Sequence, residues 1–168
     1  MPHPIVDQLA FARTELVRSL DGVTAEEARQ RLMPMNSIGW IVGHLADQEQ
    51  RYFLQRQGHP LVVDGLNDLV GYGKPATTPE LSDMWATWKA ITAATEPVLA
   101  AMAPEDLLIP PAHGEPPVPD SNGTLILRVT YHYWYHLGEG QAIRQILGHP
   151  NLPDFVGDIG KQAPFRLV

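Results

Sequence analysis

Cysteine is absent from this chain of 168 residues. Disulfides, thiolate metal ligands and a protein thiol nucleophile are thereby excluded, so any metal site has to be built from histidine and carboxylate. Basic residues are also scarce: 12 Lys and Arg stand against 19 Asp and Glu, a formal charge of −7, and they form no cluster. Capture of nucleic acid or of an anionic membrane surface depends on clustered Lys and Arg, so neither is an expected partner. No apolar run approaches the roughly 20 residues of a transmembrane helix. Met1-Pro2-His3-Pro4 has neither the basic region nor the apolar stretch of a secretory signal, which makes the cytoplasm the expected location. Convincing β alternation and internal repeats are missing as well.

What remains has the composition of an ordinary globule, 44% hydrophobic and 18% charged, at a length that suits one domain. We expect a single domain over residues 1–168, with a tail from about residue 149 docked on it. Pro4 starts a first helix, in which Ile5, Leu9, Ala12, Leu16 and Leu20 recur at steps of three or four up to Gly22. Thr24 and Glu27 fit a capping box for a short segment that ends at Pro34. Asn36-Ser37 caps a second long helix from Ile38 to about Gln57, with Gly58 as its stop. Gly39 and Gly43 inside it each cost about 1 kcal/mol relative to Ala, so another backbone or a bound group is expected close by.

Residues 58–78 carry Gly65, Gly71, Gly73 and Pro75 and read as a crossover connection. Thr78-Pro79-Glu80 then starts a third long helix that Pro97 should kink or break and Pro104 ends. The proline-rich stretch from Pro110 to Pro119 is read as extended and exposed, either a lid over a site or a passive connection. A fourth helix, from about Thr124 to Leu147, carries Leu125, Val129, His132, His136, Ile143 and Leu147 on one broad face. Phe155, Val156, Ile159 and Phe165 could dock the tail. Four long helices with two long connections indicate an all-α four-helix bundle with at least one crossover.

Of the seven histidines, His132 and His136 are spaced i, i+4 and can aim both imidazoles at one atom. The alternative is one histidine in the core and the other in solvent. A divalent metal would need a third ligand. Four of the other five, His3, His59, His113 and His149, adjoin a Pro or Gly in termini or loops, whereas His44 lies in mid-helix on an apolar stripe. Alone, His44 would read as a hydrogen-bonded core residue. With His132 and His136 it makes three core-facing imidazoles that one metal would satisfy together. Three histidines suit catalytic zinc, which keeps a position open for water or substrate, and are also compatible with Ni, Fe or Co.

The stretches Trp40-Ile41-Val42-Gly43-His44-Leu45-Ala46-Asp47-Gln48-Glu49 and Tyr131-His132-Tyr133-Trp134-Tyr135-His136-Leu137-Gly138-Glu139 resemble the DinB/YfiT-like superfamily. That resemblance implies an up-down-down-up bundle, a metal at His44, His132 and His136, and frequently a homodimer. It also implies activities such as S-transfer from low-molecular-weight thiols, mycothiol or bacillithiol among them. Thiol transfer to an electrophilic small molecule is coherent with a chain that lacks cysteine, because the sulfur would come from a cosubstrate. The spacing is not the His-Glu-x-x-His of zinc proteases, since Tyr133 follows His132. Hydrolysis of another substrate and a non-catalytic metal- or ligand-binding, stress-related bundle are the alternatives.

Other residues near the triad are weaker candidates. Asp47 and Gln48 could orient imidazole N–H groups or touch substrate, Glu139 could be an acceptor or base, and Tyr135 could donate to a ligand. Arg51 and Arg144 could bind a carboxylate or simply be solvated. Tyr131, Tyr133 and Trp134 read as core and interface aromatics, and Gly140 as a point of close helix approach.

Overall fold

Three of the four long helices begin where the side chain of the preceding residue accepts from a free backbone N–H. The computed structural model describes residues 3–154 and 156–166. Helix α1 spans Pro4–Ser19, with the His3 ring accepting from the Ile5 N–H. Helix α2, Ala25–Arg29, carries the capping box of Thr24 and Glu27 and stops short of Pro34. Helix α3, Ile38–Phe53, is capped by Ser37; a 3-10 turn at Gln55–Gln57 follows, then Gly58 in the left-handed region. The regular helix thus ends before Gln57.

Helix α4, Leu66–Val70, lies inside the connection that the sequence presents as irregular. Five residues are too few for periodicity to register. Helix α5, Leu81–Ala101, starts after Thr78-Pro79 rather than on them, and its cap residue Glu80 makes no side-chain capping bond. The cause is a backbone contact: a Cβ on Gly39 would lie 2.4 Å from the Pro79 carbonyl oxygen, so this segment is pinned across α3 before α5 can begin. Pro97 does not break α5. The carbonyl it leaves without a helical partner belongs to exposed Ala93, where water can bond it. Helix α6, Asn122–Ile146, starts ahead of Thr124 because Ser121 takes the cap position, and Gly148 follows with φ 80°. Helix α7, Ile159–Gln162, lies in the tail.

Residue pairs along the seams give the directions. Ile5 packs at Gly123 and Arg144 donates to the Ser19 carbonyl, so α1 and α6 run parallel. Gly43 meets Met84 and Glu49 meets Thr95, so α3 and α5 are parallel too. Gln57 meets Asn122, Gln48 meets His132 and Asn36 meets Glu139, so α3 and α6 are antiparallel. The result is an up-down-down-up four-helix bundle whose crossover joins the parallel pair α3 and α5. Among the described residues there is no strand, and no helix is long and apolar enough to cross a membrane.

Helix α3 is the central element, buried along nearly its whole length. Leu9, Leu16, Ile41, Leu45, Ile91, Leu99, Ile126 and Ile143 form the core around it, each contributing about 1.5–3 kcal/mol by burial. Glycine permits the closest packing. Gly39→Ala should lower stability by about 1–3 kcal/mol despite the better helix propensity of alanine, because the contact is with backbone and cannot rotate away. A denaturant midpoint equal to or above wild type would contradict this contact. Gly43 instead faces the Met84 side chain, and Gly140 the Leu20 side chain.

A fully bonded polar set crosses this core. Tyr133 of α6 donates to Glu49 Oε1 at 2.6 Å and accepts from the indole of Trp88 on α5 at 2.7 Å. Arg13 of α1 pairs with both Glu49 oxygens and also donates to Thr95, whose hydroxyl donates to Glu49 Oε2. Burial works against the Arg13 charge, but the Glu49 carboxylate outweighs it and raises the Arg13 pKa. Burial, then the charge of Glu49, pushes the Tyr133 hydroxyl well above its ordinary range.

The tail is held on α1 mainly by polar contacts. Gln8 donates to the Ala163 carbonyl, Gly157 N to Glu15 and Arg18 to the Asp154 carbonyl, with Ala163 buried. Val156 and Ile159 are exposed and Phe165 is 89% exposed, so these do not supply the expected apolar docking. Phe155 lies outside the described residues. Arg144 is buried rather than solvated, bonded to Ser19 O and to His149.

His149 in turn meets Glu27, tying the end of α6 to α2. The Thr24 backbone N–H, then His149 and the Thr24 hydroxyl, hold the Glu27 carboxyl at about 2, below its ordinary 4.5. A carboxylate with a depressed folded-state pKa stabilises the fold above its unfolded pKa, and that contribution is lost as pH falls through the folded value. Glu27→Gln should therefore lower the urea midpoint at pH 5–7, with the gap to wild type closing between about pH 4.5 and 2. A gap that stayed constant to pH 2 would remove the charge from the explanation.

Candidate metal centre

The antiparallel seam between α3 and α6 brings together the three histidines singled out above. His44, His132 and His136 each offer a ring nitrogen, and these atoms all lie within 4.8 Å of one another. His44 and His136 are buried and His132 is partly exposed, so the group opens toward solvent on the His132 side.

Each ring is fixed through its other nitrogen. His44 Nδ1 donates to the Val70 carbonyl at 2.8 Å, His132 Nδ1 to Gln48 Oε1 at 2.6 Å, and His136 Nδ1 to Glu139 Oε2 at 2.8 Å. Carbonyl and carboxylate oxygens can only accept, so these contacts place the protons on Nδ1 and leave the Nε2 lone pairs facing inward. The Nε2 atoms of His132 and His136 are 3.0 Å apart. Two lone pairs at that distance repel unless a cation lies between them.

Burial, then the charge of His136, lowers His44 to about 4; burial, then His136 and His44, lowers His132 to about 3. Both rings are thus neutral ligands at neutral pH, and the donor set fits a divalent metal. Ligand nitrogens on one tetrahedral zinc ion lie roughly 3.3 Å apart, a spacing that small ring rotations would reach. Rings held through Nδ1 by a carbonyl or carboxylate are the usual support of metal-ligating histidine.

The supports come from three places. Gln48 orients His132 from α3. Glu139 holds His136 and also accepts from the Asn36 backbone N–H; burial raises its pKa, but the bonds to His136 and Asn36 outweigh this and keep it below the ordinary carboxylate range. Asp47 touches none of the three rings. It is buried, accepts from Asn67 of α4 at 2.9 Å and pairs with Arg51. By holding α4 it sets the Val70 carbonyl, an acceptor that sequence reasoning missed because a backbone atom has no side-chain signature.

Trp40 stacks on His44 with centroids 4.3 Å apart, closing that face to water. Tyr135 is 72% exposed and sets its ring against His136, while its hydroxyl bonds none of the three rings. Tyr131 is exposed, and Tyr133 belongs to the core. The proline-rich loop is anchored away from the triad: Arg56, beyond the end of α3, donates to the Pro116 carbonyl and accepts from His113 N.

The sequence profile of the DinB superfamily matches residues 8–139. The chain belongs to the DinB superfamily. The matched span contains most of α1, all of α3 and α5, and the part of α6 that carries His132 and His136, so all three histidines lie within it. Comparison with curated proteins gave no match. The DinB assignment therefore carries the fold and a triad that could hold a metal ion, and the chemistry has to be argued from the residues.

Proposed function

We propose that this DinB protein is a metal-dependent enzyme that transfers a low-molecular-weight thiol to an electrophilic small molecule, and that it works as a homodimer. The observation that supports this most is the inward set of three Nε2 lone pairs in a chain without cysteine. His44, His132 and His136 would hold the ion, with zinc favoured and Ni, Fe or Co also suited to imidazole. When bound, such an ion offers an open position that lowers the pKa of a thiol or polarises a carbonyl.

The residues of the chain do the rest. Val70, Gln48 and Glu139 hold the imidazole tautomers, and Trp40 keeps water from one side of His44. Tyr131 and Tyr135 offer exposed aromatic surface on the same helix as His132 and His136.

Metal-loaded protein should consume thiol in the presence of suitable electrophiles, and adducts should be visible by mass spectrometry. Chelation and His44→Ala should both abolish this. Absence of metal-dependent thiol consumption across a panel of thiols and electrophiles would overturn the transfer reading. Hydrolysis without thiol would favour a metal-dependent hydrolase.

A further inference from the structure

The Arg13–Glu49–Tyr133 set is more polar than stability requires. A buried ionic group can often be exchanged for apolar residues of similar volume with no loss of stability, so its presence in a core calls for another explanation. Its position supplies one. Glu49 directly follows Gln48 on α3, and Tyr133 directly follows His132 on α6. Two successive cross-helix bonds result, Gln48 to His132 and Glu49 to Tyr133, each 2.6 Å long.

Neighbouring residues leave a helix about 100° apart. One bond therefore ties the seam on the histidine side and the other ties it inside the core. The bonds Gln57–Asn122 and Asn36–Glu139 cross the same seam near its ends, and beside His132 the two bonds on different faces resist both roll and sliding. Roll matters here because His132 and His136 share one face, and turning that face moves both Nε2 atoms away from His44. Arg13 from α1 and Thr95 and Trp88 from α5 hold Glu49 and Tyr133 in turn, so all four long helices set the register.

We infer that Glu49 and Tyr133, braced by Arg13, are positioning residues for the three histidine nitrogens. This rests on the metal reading above only for its metal readout. The test uses two full-length variants, near-isosteric Tyr133→Phe and the volume-matched triple Arg13→Met, Glu49→Leu, Tyr133→Phe. Cobalt(II) titration reads the metal site, and ¹⁵N shifts of His132 in metal-free protein read the tautomer that Gln48 holds.

Both variants should fold, with the triple near wild-type stability. Cobalt affinity should fall at least about tenfold, the cobalt absorption bands should broaden, and His132 should become a tautomer mixture. A triple variant that folds and keeps wild-type affinity, bands and tautomer would overturn the inference and leave the set a purely structural feature. If the triple variant does not fold, Tyr133→Phe decides by the same readouts. Should wild-type protein take up no cobalt, the metal reading fails, and the His132 tautomer alone still judges the positioning role.

Discussion

His136→Ala and His44→Ala protein, purified natively, should each contain less than about a tenth of the metal found in wild type. Wild type should carry about one equivalent per chain, as expected for one set of three imidazoles. Either change leaves two nitrogens, too few to compete with water and buffer for a divalent ion. His136→Ala also strips Glu139 of its partner, leaving an ionised, half-buried carboxylate bonded only to Asn36. Chelated wild type should match the variants.

The remaining histidines provide the controls. His3 caps α1, His113 lies against Gly58, and His149 bridges Arg144 and Glu27. His113→Ala should keep full metal content. Unchanged metal in both His136→Ala and His44→Ala, measured by elemental analysis, would remove the triad as a metal centre.

How much of this was legible before folding depends on which atoms carry it. Helix starts at Pro4, Thr24 and Ser37 and the stop at Gly148 are local chemistry and read correctly from the chain, whereas regular α3 ends at Phe53, ahead of the stop expected at Gly58. The histidine set was also within reach, because i, i+4 spacing is a helical property and the other histidines adjoin helix breakers. Val70 was not, since its contribution is a carbonyl on a five-residue helix whose position depends on the Asn67–Asp47 contact. The start of α5 was misplaced for a similar reason: a strong local signal at Thr78-Pro79 lost to a tertiary contact with Gly39.

Glu49 illustrates the other kind of miss. From sequence alone Glu49 is assigned no role: a carboxylate on an amphipathic helix ordinarily lies at the surface, but α3 is packed on almost all sides. A clue was present, because Leu45, Glu49 and Phe53 share one face at steps of four. A charge in line with two core residues calls for a buried partner. Arg13 is that partner, thirty-six positions away in sequence and invisible to any local pattern.

That partnership makes Glu49→Ala the most destabilising change expected in this protein, by about 3–5 kcal/mol. Glu49 is fully buried and Arg13 nearly so. Deleting the carboxylate leaves a guanidinium in the core that cannot shed its charge, since arginine stays protonated. The Tyr133 hydroxyl loses its acceptor in the same step, and the missing side-chain atoms leave a void where α1, α3, α5 and α6 meet. Typical domains are stable by only about 5–15 kcal/mol, so much of the fold's margin would go. Urea denaturation of metal-free protein measures it directly. A loss under about 1 kcal/mol would mean that Arg13 finds water on deletion, and that the core is less closed than its burial indicates. The volume-matched triple variant separates the two contributions: it removes the unpaired charge along with the carboxylate, so it should regain most of the stability that Glu49→Ala loses while still failing to hold α6 in register.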